Sequence, residues 1–291
     1  MQANFIQNQI KIMKKLGLFF LALTSQFFFA QATRFVYQVS MKPDSTNRND
    51  IKTENAYLDI TPEKSVFYAE NRLKRDSIMG KARQTGSFNF DRSQMQSLRT
   101  NLNFLIEKDY KTVKKLYNAR ILRDQYSYEE DRQMDWKILP ETATIGEYKT
   151  QKAQTDFAGR TWYAWFTTEV PFQDGPYKFS GLPGLIVKVE DTKGDYSFDL
   201  KETKKIAEMQ DFNQRGNLVK VKRKDFEKQE AQFRKDPAAF VQAAMGSRGA
   251  SGISAPQSRG SMRSPDPNQR RQMEARMAEE QKKNNNPIEL K

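Results

Sequence analysis

Four carboxylates fall close together at Glu190, Asp191, Asp195 and Asp199. Oxygen ligands at that density suit Ca²⁺. The spacing lacks the compact loop of an EF-hand, and Lys188, Lys193 and Lys201 are interspersed among the acids. Opposite charges facing one another across a hairpin account for the same pattern, and the reading is hairpin charges with no metal site. Arg160 is the next residue with chemical reach. It follows Gly159 and leads into Trp162-Tyr163-Ala164-Trp165-Phe166. A guidanium fork suits a carboxylate or phosphate ligand. It equally suits a structural partner: Glu169 or Asp191 for pairing, Trp162 for stacking. The aromatic run can line a groove for lipid or glycan, or it can be core. Arg160, Trp162, Trp165, Lys178 and Phe179 are the candidate binding residues.

The chain has no His and no Cys. A Ser-His-Asp triad and imidazole acid–base chemistry are therefore excluded. So are tetrahedral zinc sites, haem ligation through His or Cys, Fe–S clusters and disulfides. No phosphate loop, dinucleotide fingerprint or nucleophile elbow is present. The expectation is a protein that is not an enzyme and holds no cofactor. A hydrolase working with two facing carboxylates is the catalytic alternative.

The densest backbone signal is Gly175-Pro176-Tyr177-Lys178-Phe179-Ser180-Gly181-Leu182-Pro183-Gly184-Leu185-Ile186. Glycine admits positive φ and close approach, and proline fixes φ. The stretch reads as a rigid bend feeding a strand. No Lys-Ser/Thr pair follows Gly184, so Gly181 and Gly184 are read as serving backbone geometry that holds Leu182 and Leu185 against the sheet, not as an anion cradle. Lys178 is read as a residue whose loss has little effect on folding. This bend resembles the signature of the GLPGLI family, exported envelope proteins of Bacteroidetes-type bacteria with no established activity. The similarity extends to Trp136-Lys137-Ile138, Gly146-Glu147-Tyr148-Lys149, Lys152-Ala153, Phe157-Ala158-Gly159-Arg160, Ala164-Trp165-Phe166-Thr167, Val170-Pro171 and Asp191. The family pattern often has a Cys near Gly-Glu-Tyr-Lys. Here Thr150 and its neighbours supply none, so a family role needing a thiol does not carry over.

The N-terminus reads as an export leader. Lys11, Lys14 and Lys15 precede an apolar run from Leu16 to Ala30, and Ala30-Gln31-Ala32 fits small-x-small cleavage. Met13 is the more typical start for such a leader. The run is shorter than the ~20 residues of a spanning helix, and a retained anchor is the alternative. No Cys follows it, so the protein is not a lipoprotein. Net charge is +13 overall, and residues 215–291 hold 17 Lys/Arg against 9 Asp/Glu. An exported chain with a basic tail points to an envelope protein or an anionic membrane surface as partner, and not to nucleic acid.

The elements that must position these residues are mostly period-two segments, so the fold class expected is mainly β. The expected form is an antiparallel meander in a curved sheet or half-barrel, with a C-terminal helix and a disordered tail. Four segments follow: leader 1–32, β-rich domain 33–226, helical extension 227–245 and basic low-complexity tail 246–291. Strands are expected at Phe35–Val39, Asn103–Tyr110, Thr112–Tyr117 and Asp124–Glu129. Hairpins are expected for Ala56–Ile60 with Ser65–Ala69, and for Leu185–Asp191 with Tyr196–Thr203. A strand from Trp136 should stop at Pro140. Thr161–Val170 reads as a strand buried on both faces. Asp76–Arg83 reads as a short helix, as does Asn268–Lys282. Phe226, Gln229 and Phe233 share one helix face beyond Asp225. From Gly246 the chain is too poor in large apolar residues to offset its ordering entropy, whereas Asn286–Lys291 is apolar enough to dock. Deleting Gly246–Asn285 while keeping the last six residues should leave the thermal melting transition nearly unchanged; a large loss of stability would show that the segment packs on the domain. The same deletion should weaken binding to anionic vesicles, and added salt should mimic it.

Overall fold

The computed structural model describes residues 32–87, 89–122, 124–212, 218–237, 239, 271–272, 275–276, 278–279 and 282–290. Residues 1–31 of the leader, positions 238 and 240–245 of the expected helical extension and most of the tail lie outside the described residues. The described positions within Asn268–Lys282 are helical.

Among the described residues twelve strands form one sheet. Strands β1 (Ala32–Met41), β2 (Lys52–Ile60), β3 (Lys64–Ala69), β4 (Phe104–Asp109), β5 (Lys114–Ile121) and β6 (Asp124–Glu129) make one antiparallel meander. A second meander runs through β7 (Lys137–Ile145), β8 (Tyr148–Phe157), β9 (Arg160–Thr167), β10 (Leu185–Asp191) and β11 (Tyr196–Ile206). The two join where β11 pairs with β1. Short β12 (Leu218–Lys220) adds a parallel pairing to β6, leaving β12 and β7 as edges. Helix α1 (Glu70–Thr85) follows β3, α2 (Arg92–Ser97) precedes β4, and α3 (Arg223–Lys235) follows β12. Among the described residues no helix is long and apolar enough to cross a membrane.

Both expected hairpins form, with Ile60 opposite Ser65 and Gly194 at φ 64° in the β10–β11 turn. Strand β7 does not stop at Pro140. It continues to Ile145, with its register slipping between Ile138 and Thr142. Proline cannot donate to a ladder, but an irregularity on an edge strand removes the need for that donor. Strand β9 is not buried on both faces. Arg160, Trp162, Ala164 and Phe166 are buried while Thr161, Tyr163 and Trp165 are half-exposed, the alternation of a sheet with one core face. The helix at the domain margin starts at Arg223, ahead of the expected boundary, and it carries Phe226 into the core.

One face of the sheet carries the main core, including Phe35, Tyr37, Leu58, Phe67, Phe104, Trp162, Leu185 and Phe198. Strands β4 and β8 are seven positions apart in the sheet order. Laid flat, seven spacings of ~4.8 Å would separate them by roughly 33 Å. Yet Tyr177 lies 5.2 Å from Phe104 on β4, and Phe179 lies 6.3 Å from Phe157 on β8. The sheet must therefore curve round the segment carrying both rings. That segment is the glycine bend, which fills the inside of a half-barrel. The opposite face buries a smaller cluster of Val36, Tyr57, Val66, Tyr68 and Leu105, with Leu73 of α1 packed against it.

The bend is held by its own backbone bonds. Asp174 bridges to Ser180, Gly181 N donates to Gln173 O at 3.2 Å, and Ile186 N donates to Asp174 O at 2.9 Å. Leu182 and Leu185 are fully buried. Gly184 sits at φ 152°, and a Cβ there would run into the carbonyl oxygen of Thr167. Backbone cannot move aside as a side-chain tip can, so only glycine fits. Gly184→Val should lower stability by about 3 kcal/mol or more, read from chemical denaturation. An unchanged midpoint with lost envelope function would instead make the bend a recognition surface.

Candidate functional site

The inside of the half-barrel contains charged groups, each closed on a partner. Asp174, at the foot of the bend, is fully buried. Its Oδ1 accepts from Lys108 Nζ at 2.5 Å and Gly175 N at 2.6 Å. Its Oδ2 accepts from Ser65 Oγ at 2.5 Å and Tyr110 Oη at 2.6 Å. Lys108 Nζ also donates to the carbonyls of Gly175 (2.7 Å) and Phe179 (2.9 Å). One lysine on β4 thus ties together both ends of Gly175–Phe179. Burial pulls the Lys108 ammonium below its ordinary value, with Asp174 opposing.

Lys178 is fully buried. Its Nζ donates to Glu130 Oε2 at 2.6 Å, Glu289 Oε1 at 2.5 Å and Tyr128 Oη at 2.9 Å. The rings of Tyr117, Tyr128 and Tyr177 surround it, with centroids at 4.7, 5.1 and 5.5 Å. Arg132 forks onto Glu130 at 2.7 and 2.8 Å and reaches Glu289 Oε2 at 2.8 Å. Burial opposes ionisation of Glu130, but the hydrogen bond from Arg132 and the charge of Lys178 overcome it and hold the carboxyl down at about 2. Glu289 is likewise lowered: burial raises it, and Lys178 and Arg132 outweigh that.

Arg160 is the third centre. Its Nη1 donates to Asp191 Oδ2 at 2.9 Å and Asp195 Oδ2 at 3.0 Å. Its Nη2 donates to Asn286 Oδ1 at 2.6 Å and Pro287 O at 2.8 Å, and its Nε to Ile288 O at 3.0 Å. Its guanidinium lies 5.0 Å from the Tyr196 ring centroid, so the aromatic neighbour is Tyr196. The C-terminal segment expected to dock does so here. Leu290 N donates to Ala158 O at 2.8 Å, and a Cβ on Gly159 would strike Leu290 at 2.9 Å.

The candidate binding residues do not form one groove. Trp162 and Phe179 meet, with ring centroids 4.8 Å apart, but both are buried in the core. Trp165 is an odd number of residues from Trp162 along β9 and faces the other way, with Lys152 Nζ 5.6 Å from its ring. Lys178 is no dispensable surface lysine, because burial and two ion pairs commit it to the fold. Within the acidic cluster, Asp191 and Asp195 serve Arg160, Glu190 pairs with Lys188 at 3.0 Å, and Asp199 accepts from Ser197 Oγ at 2.6 Å. Among the described residues no three acidic side chains are arranged to hold a metal ion. The structural-motif residues Gly175, Pro176, Gly181, Leu182, Pro183, Gly184, Leu185 and Ile186 form the bend and the start of β10, and Asp191 ends that strand.

Sequence reasoning missed Lys108, Glu130, Arg132, Asp174 and Glu289. A signal existed for Lys108, a lone cation on the inner side of an apolar strand segment, Phe104-Leu105-Ile106. Glu130 and Glu289 are 159 positions apart and carry no such signal.

A cavity of about 430 Å³ opens beside these centres. Met41, Phe104, Tyr117, Ile121, Phe226 and Ile288 give it apolar walls, and Arg120, Glu230 and Arg234 also border it.

A protein-family model described as a protein of unknown function (Porph_ging) matches residues 157–188. These run from the end of β8 through β9 and the bend into β10. The match is a similarity confined to that part of the chain. No curated protein sequence matches. Two crystal structures of PNGF-II, in P2₁ and C2 space groups, are similar at 17% and 18% identity with TM-scores of 0.49 and 0.48. They cover 68% of this chain, which spans 33% and 32% of those chains. A domain from Vibrio parahaemolyticus described as an outer membrane lipoprotein-sorting protein is similar at 5% identity with a TM-score of 0.29. That similarity covers 64% of this chain and 89% of the other.

Removing Lys178 leaves Glu130 and Glu289 facing each other without the ammonium between them. Lys178→Ala should therefore cost about 3–5 kcal/mol of stability, read by chemical denaturation; a loss below 1 kcal/mol would return Lys178 to the dispensable class. Both glutamates are lowered on folding, so their contribution is complete above the unfolded value of about 4.3. It is lost as pH falls from there toward the Glu130 value of about 2. The melting temperature should drop across that window, and Glu130→Gln should flatten the dependence.

Proposed function

We propose that this chain is an exported, non-enzymatic binding module of the cell envelope, of the GLPGLI kind, and that its ligand is an acyl chain or similar apolar group. The 430 Å³ cavity carries this reading, since its size falls among small-molecule pockets and Met41, Leu102, Phe104, Ile121, Phe226 and Phe233 give it an apolar wall, with Asn101, Asn103, Arg120, Glu230 and Arg234 at its polar positions. None of the aromatics Trp162, Trp165, Phe172 and Phe179 lines it. The cavity lies on the Phe104 side, between the inner sheet face, α3 and the C-terminal segment. Export rests on the leader, and contact with an anionic membrane surface rests on the basic C-terminal sequence.

The test is equilibrium binding of a fluorescent fatty acid to the mature full-length chain. Ala119, a small residue in the cavity wall, provides the control. Ala119→Trp should fill the space and weaken binding roughly tenfold or more, with some loss of melting temperature because Ala119 is buried, and circular dichroism checks that the variant is folded. Absence of saturable binding by the parent protein would reject the apolar ligand. So would an undiminished affinity in a folded Ala119→Trp variant. Fractionation of cells expressing the complete chain should place it outside the cytoplasm with the leader removed after Ala30 or Ala32.

A further inference from the structure

The C-terminal residues Asn286–Leu290 dock through contacts unlike those of the rest of the core. Asn286 is buried, and its side chain both accepts from Arg160 and donates to Lys42 O at 2.8 Å. Its carbonyl accepts from Tyr196 Oη at 2.6 Å, and its amide donates to Pro43 O at 2.9 Å. Three residues on, the Glu289 carboxylate accepts from Lys178, Tyr177 Oη (2.5 Å) and Arg132. Among the described residues, Arg160 Nε and Nη2, Tyr177 Oη and Tyr196 Oη find their acceptors only in this segment.

The receiving groups are also held in place without it. Asp191 and Asp195 fix Arg160, while Glu130 fixes both Lys178 and Arg132. The charge pattern is selective. Arg160 and Arg48 face Asp191 and Asp195, a balanced set that suits a neutral amide and carbonyls. Lys178 and Arg132 share Glu130, so one positive charge remains for a carboxylate. A preformed, buried arrangement of this kind is how peptide-recognition sites gain affinity without large area. The occupant is separated from α3 by a long stretch rich in Gly, Ser, Pro and Arg from Gly246 onward, a composition typical of linkers that tether a ligand to its own receptor.

We infer that the cleft between the β8–β9 turn, the bend and the β10–β11 turn is a peptide-recognition site, with the chain's own C-terminus as its resident ligand. Its ligand class is a segment presenting a side-chain amide and, three residues later, a carboxylate. The inference rests on the polar contacts of the segment and uses a different probe from the apolar-ligand reading, although Tyr196, Asn286, Pro287 and Ile288 also line the cavity.

The experiment uses the full mature chain with a protease site inserted after Gly260. Cutting there removes the covalent tether between the body and the C-terminal fragment. A fluorescent octapeptide, Asn284 to Lys291, is then added in excess. The expected result is that it binds the cut protein as the fragment departs, while circular dichroism of the body stays constant. On uncut protein the tethered segment competes at an effective concentration of about millimolar, so the peptide should bind weakly. Octapeptides carrying Glu289→Gln or Asn286→Ala should bind roughly tenfold or more weakly, which leaves the body unmutated. Three outcomes would overturn the inference: a body that unfolds when the fragment leaves, a fragment that excess peptide never displaces, or variant octapeptides that bind as well as the parent.

Discussion

The salt bridge between Lys108 and Asp174 anchors the interior of the half-barrel. Both groups are buried, and an unpaired charge at that depth is strongly destabilising. Asp174 therefore fixes where the bend begins, and Lys108, by binding the carbonyls of Gly175 and Phe179, fixes where it turns. With those points set, Tyr177 and Phe179 have one place to go, the inside of the sheet. The sheet curves around them because their rings touch strands that a flat sheet would hold far apart.

The same constraint explains how the C-terminus is recruited. The bend carries Lys178 into the interior just beyond Tyr177, and a second buried cation needs its own counter-charge. Glu130 alone cannot satisfy Lys178 and Arg132 together, and Glu289 completes the balance. The tyrosines around Lys178 add their ring faces to the stabilisation of the ammonium. Polar groups that look like chemistry in the sequence are thereby turned into internal fasteners. What the half-barrel leaves open beside α3 is a cavity with both apolar and polar walls.

Much of the fold was legible because a half-buried strand writes its period into the sequence. Phe35, Tyr37 and Val39 alternate, the two hairpins carry their turn residues, and Gly184 announces a backbone need. The reading failed where a neighbour decides the outcome. Pro140 looks like a strand end, and only the edge position and register slip of β7 let it stay inside a strand. Trp162 and Trp165 look like one cluster, and only the pleat sends them to opposite faces. Asp76–Arg83 revealed half of α1, because a helix lying on the outer face of the sheet has few buried positions from which to read a period.

Amino-acid order dictates the lack of imidazole and thiol chemistry, the β class, the rigid bend and the docking competence of Asn286–Lys291. These follow from residue type and local spacing, which act whatever the rest of the chain does. Tertiary structure alone decided that Lys178 is interior, that Arg160 serves Asp191, Asp195 and the C-terminus, and that Glu130 meets Glu289. Each of those is a pairing of charges far apart in the chain. Burial makes such pairing obligatory, but only the curvature of the sheet selects the partners.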